Sequence, residues 1–201
     1  MKKNNAWFSI IEILIWIFIF TLWLVGIYAL ILSTLQLNDY SKNSIIATNL
    51  ARESIETVRN VRDSNYKNLF KWNKLPGGDV NNLFQTGVYY KVENDFYNTL
   101  PQNISFTKID NFWEWKSQLT TKMKEYQLCF NSQKMYTYDC RTSNPPTYFY
   151  RYVTFEDVTY VENGETKKLE NALKLTSKVI WYNRWYHEIQ LDTILTDFLR
   201  Q

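Results

Sequence analysis

Residues 8–37 read FSIIEILIWIFIFTLWLVGIYALILSTLQL, and this stretch decides how the rest of the chain is organised. Twenty-three of its 30 residues are apolar. An α-helix needs roughly 20 such residues to cross the hydrocarbon core of a bilayer, so the stretch predicts one membrane-spanning helix. Glu12 is the only charged residue between Lys3 and Asp39. Because an ionised carboxylate is costly in hydrocarbon unless it finds a partner or the interface, Glu12 is a candidate functional residue.

The residues that flank this span predict its orientation. Residues 1–7, MKKNNAW, are short and basic, and Lys42 is the first basic residue after the span. The positive-inside rule therefore predicts a cytoplasmic N-terminus, with the remainder of the chain outside. A secretory signal peptide has an apolar core of about 7–15 residues and a small-residue cleavage site, and neither matches this sequence.

Residues 38–65 continue the helix with an amphipathic pattern. No proline interrupts residues 8–65, and the whole predicts one helix of about 55 residues. Apolar residues recur at three- and four-residue spacing, which indicates one face packed on a soluble domain. The predicted stripe consists of Ile46, Leu50, Ser54 or Ile55, Val58 and Val61.

Residues 66–201 predict a soluble β-rich domain. Turn residues at 75–79 end the helical pattern, and strand-like segments follow at 88–92, 104–109, 126–130, 134–139, 148–161, 173–182 and 187–195. Asn163-Gly164 predicts a tight hairpin turn. The predicted fold class is α+β, a long N-terminal helix followed by a small antiparallel sheet with one face covered by the helix.

Composition argues against several function classes. The formal net charge of +3 is too mild to indicate a nucleic-acid partner. No P-loop, G-x-S-x-G or metal-ligand spacing occurs, so we expect no metal, no cofactor and no enzymatic activity. His187 is the only histidine, and nothing in the sequence places it beside a cysteine. Glu156 and Asp157 are adjacent, so a strand would direct them to opposite faces, a poor geometry for paired acid–base catalysis.

Cys129 and Cys140 are the only cysteines, and they flank a predicted hairpin. In an oxidising compartment such a pair is a candidate disulfide. The alternative is two free thiols.

The N-terminal residues also carry a resemblance to a known family. A short basic leader followed by Phe8-Ser9-Ile10-Ile11-Glu12 at the start of a long apolar helix resembles the prepilin-type signal of type IV pilins and of type II secretion pseudopilins. The segments ATNLARESIE (47–56) and VRNVRDSN (58–65) are similar to minor pilin-type proteins. The resemblance covers residues 1 to 65.

The resemblance implies specific roles for three residues. A prepilin peptidase would cut between Trp7 and Phe8 and methylate the new amine of Phe8, leaving a leader of residues 1–7. Glu12 would become the fifth residue of the mature chain, where the family has its assembly glutamate. Residues 8–37 would then form the transmembrane half of the helix and residues 38–65 its amphipathic half.

Trp7 departs from the family pattern, which has a small residue, nearly always glycine, before the cleavage site. Glycine is scarce in the chain, with 5 residues, whereas tryptophan is abundant, with 8. We therefore hypothesise that several tryptophans are UGA codons that the source lineage decodes as glycine, whereas Trp181 is a genuine strand tryptophan. The suspected positions are Trp7, Trp16, Trp23, Trp72, Trp113, Trp115 and Trp185. The alternative is an aromatic-rich protein with an atypical cleavage site.

The expected function is that of a minor pilin or pseudopilin. Its partners would be other pilin or pseudopilin subunits, the prepilin peptidase and an inner-membrane assembly platform. It would be a single-pass inner-membrane protein before assembly and part of a periplasmic or cell-surface filament afterwards. The alternative is an unprocessed, single-pass, membrane-anchored binding or sensor domain outside the cytoplasm.

Overall fold

The structure is a computed structural model. The chain divides into two compact units, one ending at Asn43 and the other beginning at Ser44. The residues that it describes are 10–77, 82–94, 104–110, 112, 121–141, 143–183 and 185–197.

Helix α1 spans Ile10–Lys67, 58 residues, and therefore runs from the first unit into the second. It ends in a Schellman motif: the Phe70 amide donates to the Asn65 carbonyl (2.9 Å) and the Leu69 amide to the Tyr66 carbonyl (3.1 Å). Leu69 takes the left-handed conformation (φ 56°) that this motif requires. The prediction of one uninterrupted helix through residue 65 is confirmed for the described residues.

Seven antiparallel strands follow within the described residues, and they confirm the predicted α+β fold class. A 3-10 helix, Thr121–Tyr126, precedes the third strand. The strands are β1 (Tyr89–Asn94), β2 (Ile104–Lys108), β3 (Gln127–Phe130), β4 (Tyr136–Thr137), β5 (Pro146–Glu162), β6 (Glu165–Asn183) and β7 (Trp185–Thr196).

Strand β5 is the centre of the sheet. One of its edges pairs with β6, which pairs in turn with β7. Its other edge is shared, because β1 pairs at Val153 and Thr154 whereas β3 pairs at Tyr150 and Pro146. β2 then pairs with β1, and β4 with β3.

The hairpin between β5 and β6 turns at Asn163 and Gly164. Both have positive φ angles, 54° and 81°, as a type I′ turn requires, which confirms the predicted turn. Glu162 and Glu165 pair at its base.

In the second unit, helix α1 packs on one face of the sheet. Ile55, Val58 and Val61 lie in a buried cluster with Val153 and Phe155 of β5. A neighbouring cluster joins the small helix residues Ala47 and Ala51, with Leu50, to residues of strands β3, β5 and β6: Leu128, Phe149, Val179 and Trp181. The predicted helix-covered face is confirmed, and Leu50, Ser54, Ile55, Val58 and Val61 of the predicted stripe are buried, whereas Ile46 is half-buried.

The opposite face of the sheet is covered as well. Tyr150 and Tyr152 of β5 alternate with the helix-facing residues and pack with Met123 and Tyr126 of the 3-10 helix. The Tyr126 ring meets that of Tyr152 edge-on, with centroids 5.6 Å apart. The sheet domain therefore has an aromatic-rich core, with helix α1 packed on one face of the sheet and the 3-10 helix packed on the other.

Candidate functional site

The first half of helix α1 is the most apolar surface of the described chain. Every described side chain from Ile10 to Lys42 is exposed, including those of Phe18, Leu22 and Ile31. By length and composition the helix can cross a membrane, and it lies near the N-terminus. An apolar surface of this extent indicates contact with lipid or with partner proteins. Within the described residues, the structure therefore supports a single candidate membrane-spanning helix.

Two threonines in this half form hydrogen bonds to the backbone of the helix itself. Thr21 Oγ1 donates to the Phe18 carbonyl at 2.8 Å, and Thr34 Oγ1 donates to the Leu30 carbonyl at 2.9 Å. A polar group in hydrocarbon has no water to bond, so these local bonds make both threonines compatible with a lipid environment. Neither needs an external polar partner.

Glu12 lies in the first turn of the described helix. Its side chain is exposed among Ile10, Ile11 and Ile13, which are exposed too. Trp7 and Phe8, the predicted cleavage and methylation positions, lie outside the described residues. Of the three predicted N-terminal sites, the structure thus places only Glu12, on an apolar helix surface, and Lys42 is the first basic residue among those described.

Cys129 and Cys140 form a disulfide with Cα atoms 5.3 Å apart. The bond closes the β3–β4 hairpin, in which Cys129 pairs with Thr137. Because both sulfurs are in this bond, neither is a thiol that His187 could activate. The His187 ring stacks instead on Trp181, with centroids 5.2 Å apart.

Glu156 and Asp157 lie in ion pairs with different lysines. Lys174 Nζ is 3.2 Å from Glu156 Oε2, and Lys168 Nζ is 2.9 Å from Asp157 Oδ1. The hydrogen bonds to Glu156 and Asp192 raise the pKa of Lys174. Among the described residues, no group of three or more His, Cys, Asp or Glu side chains is placed to hold a metal ion.

The tryptophans occupy contrasting positions. Trp181 is 1% exposed in the core, whereas Trp16, Trp23 and Trp185 are exposed. Trp72, another suspected glycine, is 7% exposed in the core cluster, so a glycine there would leave its space to be filled. None of these five has a positive φ. Trp7, Trp113 and Trp115 lie outside the described residues.

Arg151 is a buried site that the sequence reasoning missed. Its side chain is 2% exposed and lies between helix α1 and the sheet. Nη1 donates to the Leu50 carbonyl at 3.3 Å and lies 3.2 Å from Glu53 Oε2. Nη2 donates to the Val92 carbonyl of β1 at 3.1 Å, and Nε donates to the Tyr138 hydroxyl at 3.0 Å. The Tyr138 hydroxyl donates in turn to the Arg151 carbonyl, also at 3.0 Å.

These contacts join helix α1, β1, β5 and the segment after β4, and we call them the Arg151 clamp. Burial acts to lower the pKa of Arg151, but Tyr138 and the Glu53 carboxylate outweigh it and raise the pKa above the ordinary value for arginine. For Tyr138, whose charged form is the phenolate, burial instead raises the pKa, against the opposing effect of the arginine charge. The clamp therefore holds a charged guanidinium and a neutral phenol.

A sequence signal for the clamp does exist. In YFYRYVTF (148–155), Phe149, Val153 and Phe155 alternate on the helix-facing side of β5, and Arg151 falls at the same parity. A charged residue at an inward position of a strand is expected only where it finds partners. The partners, Leu50 and Glu53, are about 100 positions earlier in the chain. The alternation pattern of a single strand shows that partners are needed but does not identify them.

Two adjoining grooves lie near the C-terminal end of helix α1. The larger has a volume of about 560 Å³, with Tyr66, Phe70 and Trp72 among its walls. The smaller shares Trp72 and reaches Lys168 and Asp157, which already form an ion pair. Comparisons with known protein families, with curated proteins and with solved structures found no match to this chain.

Proposed function

We propose that the chain is a minor pilin or pseudopilin subunit that assembles into a type IV pilus or a secretion pseudopilus through its N-terminal helix. The single observation that carries the proposal is Glu12, the one carboxylate in the exposed apolar residues 10–37 of helix α1, in the first turn of its described part. The resemblance of residues 8–12 to the prepilin-type signal supports the same reading.

The continuity of helix α1 supports a structural role. Its first half presents apolar side chains outward, and its second half is part of the core of the sheet domain. One continuous helix thus joins a lipid-compatible segment to a folded domain. This is what a subunit needs if it leaves the membrane by packing its apolar half against other helices while displaying its domain.

Charge neutralisation gives Glu12 its proposed role. Cleavage between Trp7 and Phe8 by a prepilin peptidase would leave a positively charged amine on Phe8. In a staggered array, the Glu12 carboxylate of one subunit would lie beside the Phe8 amine of the next. A low-dielectric site accepts both charges when each neutralises the other, whereas an unpaired charge there is strongly destabilising.

The proposed location follows from the same arrangement. Before assembly the protein would be a single-pass inner-membrane protein with a cytoplasmic N-terminus, engaged by the assembly platform. The sheet domain would lie on the periplasmic side and then in a filament, in the periplasm or at the cell surface. The Cys129–Cys140 disulfide fits this location, because such bonds persist in oxidising compartments.

Substitution of Glu12 tests the assembly role. We expect Glu12→Ala and Glu12→Gln to insert into the membrane normally and to lose most incorporation into filaments, measured by comparing membrane and sheared-filament fractions. Thr21→Ala is the matched control, since it changes another polar residue of the same helix whose hydrogen bond is internal. Normal incorporation of both Glu12 variants would remove the basis for the charge pairing.

The second candidate is an unprocessed membrane-anchored binding or sensor domain. Trp7 favours it, since a large side chain before the cleavage site departs from the small residue of the family pattern. Mass spectrometry of the native N-terminus separates the two candidates: a mature chain that begins with methylated Phe8 supports the pilin role, and an intact Met1 supports the anchor.

A further inference from the structure

The Arg151 clamp depends on Tyr138, whose segment has little strand pairing of its own. Tyr138 follows β4, a strand of two residues that forms two register pairs with β3. β3 is held by β5 on its other edge, but a ladder of two residue pairs fixes the chain beyond β4 only weakly. The position of the Tyr138 hydroxyl must therefore be fixed by contacts beyond the β-ladder.

The disulfide lies where it can fix this position. Cys140 is two residues after Tyr138, and its amide donates to the Tyr138 carbonyl at 3.1 Å. Its partner Cys129 is fully buried in β3, which pairs with β5, the strand that carries Arg151. The covalent bond thus ties the segment that carries Tyr138 to the part of the sheet that carries Arg151.

We propose that the Cys129–Cys140 disulfide is a positioning element for the Arg151 clamp, holding the Tyr138 hydroxyl against the guanidinium and so completing the contact between helix α1 and the sheet. Without the bond, Tyr138 loses its fixed position, and one donor of a buried charged group loses its acceptor. An unsatisfied buried donor is costly, so the loss reaches the helix at Leu50 and Glu53. Firm packing of the helix on the sheet then requires oxidation.

This inference depends on the proposed function only for the compartment. If the sheet domain folds outside the cytoplasm, the clamp is completed after export. The dependence of the clamp on the disulfide is a property of the sheet domain alone. It stands or falls separately from the Glu12 test.

A double-mutant cycle on the full chain in detergent micelles tests the coupling. Tyr138→Phe keeps the ring and removes the hydroxyl; we expect it to lower the folding equilibrium constant about tenfold with the disulfide present. In a Cys129→Ala/Cys140→Ala background, we expect the same change to cost less than about twofold, because the hydroxyl is no longer held in place. Urea unfolding gives the constants, and hydrogen exchange at residues 50–58 reports on the helix.

Tyr90→Phe is the matched control. The Tyr90 ring is 3% exposed, and its hydroxyl accepts a hydrogen bond from the Gln85 amide at 3.3 Å, in a contact that does not involve the hairpin. We expect its cost to be the same factor in both backgrounds. If Tyr138→Phe also costs the same factor in both, the disulfide does not position Tyr138 and the proposal is wrong.

A reciprocal measurement uses the native cysteines, in case the alanine substitutions themselves, rather than loss of the bond, prevent folding; circular dichroism checks that the reduced protein stays folded. A dithiol reductant converts the Cys129–Cys140 bond into two thiols and is itself oxidised to a cyclic disulfide. If the clamp and the bond support each other, Tyr138→Phe should raise the equilibrium constant for this reduction several-fold, and Tyr90→Phe should leave it unchanged. An unchanged constant for Tyr138→Phe, or alkylation of both cysteines in the native unreduced protein, would overturn the proposal.

Discussion

The two halves of helix α1 share one backbone and differ in what surrounds them. From Ile10 to Lys42 every described side chain is exposed, and the apolar residues cover all sides of the helix. From Ala47 onward only one stripe is buried, and charged residues such as Arg52 and Glu56 occupy the other side. The first half has a uniform surface, and the second has a surface with two faces.

This difference shows that helix formation and helix packing are specified separately. Neither half contains proline, and Gly26 is the only glycine in the helix, so the backbone is continuous. The surroundings are specified by periodicity. An apolar surface on all sides suits lipid or a bundle of similar helices, whereas a one-sided stripe suits a sheet.

The largest expected effects come from placing one acid in each half. Val58 is fully buried against the sheet, so Val58→Asp should unfold the sheet domain, because an unpaired buried carboxylate has no compensating contact. Leu22→Asp should leave the urea midpoint of the sheet domain unchanged and instead impair membrane insertion, by about 2.5–3.5 kcal/mol. Circular dichroism and membrane fractionation separate the two outcomes.

The reverse pattern would contradict the comparison. If Leu22→Asp destabilised the sheet domain, the first half of helix α1 would be shown to take part in the core of that domain. Arg52→Asp is the control in the second half, since that side chain is exposed and the substitution should leave the domain folded.

A smaller effect is expected where the helix approaches the sheet most closely. Ala51 is fully buried in the cluster with Phe149 and Trp181, so Ala51→Leu must displace neighbours. Overpacking of this kind costs about 1–3 kcal/mol, measurable as a lower urea midpoint. Ala29→Leu, in the apolar half, should leave that midpoint unchanged, because the Ala29 side chain is exposed and has room for the larger residue. If Ala51→Leu and Ala29→Leu lower the urea midpoint equally, the two halves of helix α1 do not differ in their packing against the sheet.

Most of the fold could be predicted because its signals are local. Uninterrupted apolar composition predicts helix α1, alternation in residues 148–161 predicts β5, and Asn163-Gly164 predicts its turn. The small alanines Ala47 and Ala51 were missed, because an apolar stripe does not reveal how closely a helix approaches its sheet. The covering of the second sheet face was missed as well, since it depends on a short 3-10 helix with no strong sequence pattern.

The sites divide in the same way. Glu12 is conspicuous in the sequence because it is the one charge in a long apolar span. Arg151 has a weaker signal and partners far away in the chain, so only the fold brings it to Leu50 and Tyr138. The partner of Glu12, on the proposed function, belongs to another subunit. Its position depends on the packing of one subunit against the next.

The smallest effect is expected at high pH, where buried phenols distinguish the sheet domain from the apolar half. Burial, and then the neighbouring Tyr182, raise the pKa of Tyr150 to about 12. In the unfolded chain this phenol ionises near pH 10. Between about pH 10 and pH 12 the folded state therefore holds a proton that the unfolded state has lost, so stability falls as pH rises and is unaffected by Tyr150 below that window. The expected slope is at most about 1.4 kcal/mol per pH unit.

Tyr150→Phe should remove this contribution, and urea unfolding between pH 9 and pH 11 would show a shallower decline in stability than the parent protein. Tyr148→Phe is the control, because Tyr148 is two residues away on the same strand face and is 73% exposed, so its surroundings change little on unfolding. The decline should not vanish, since burial also raises the pKa values of Tyr138 and Tyr90. If Tyr150→Phe and Tyr148→Phe change the slope equally, the phenol of Tyr150 is not held neutral by the core, and the aromatic face of the sheet is more open to water than the packing of Tyr126 and Met123 implies.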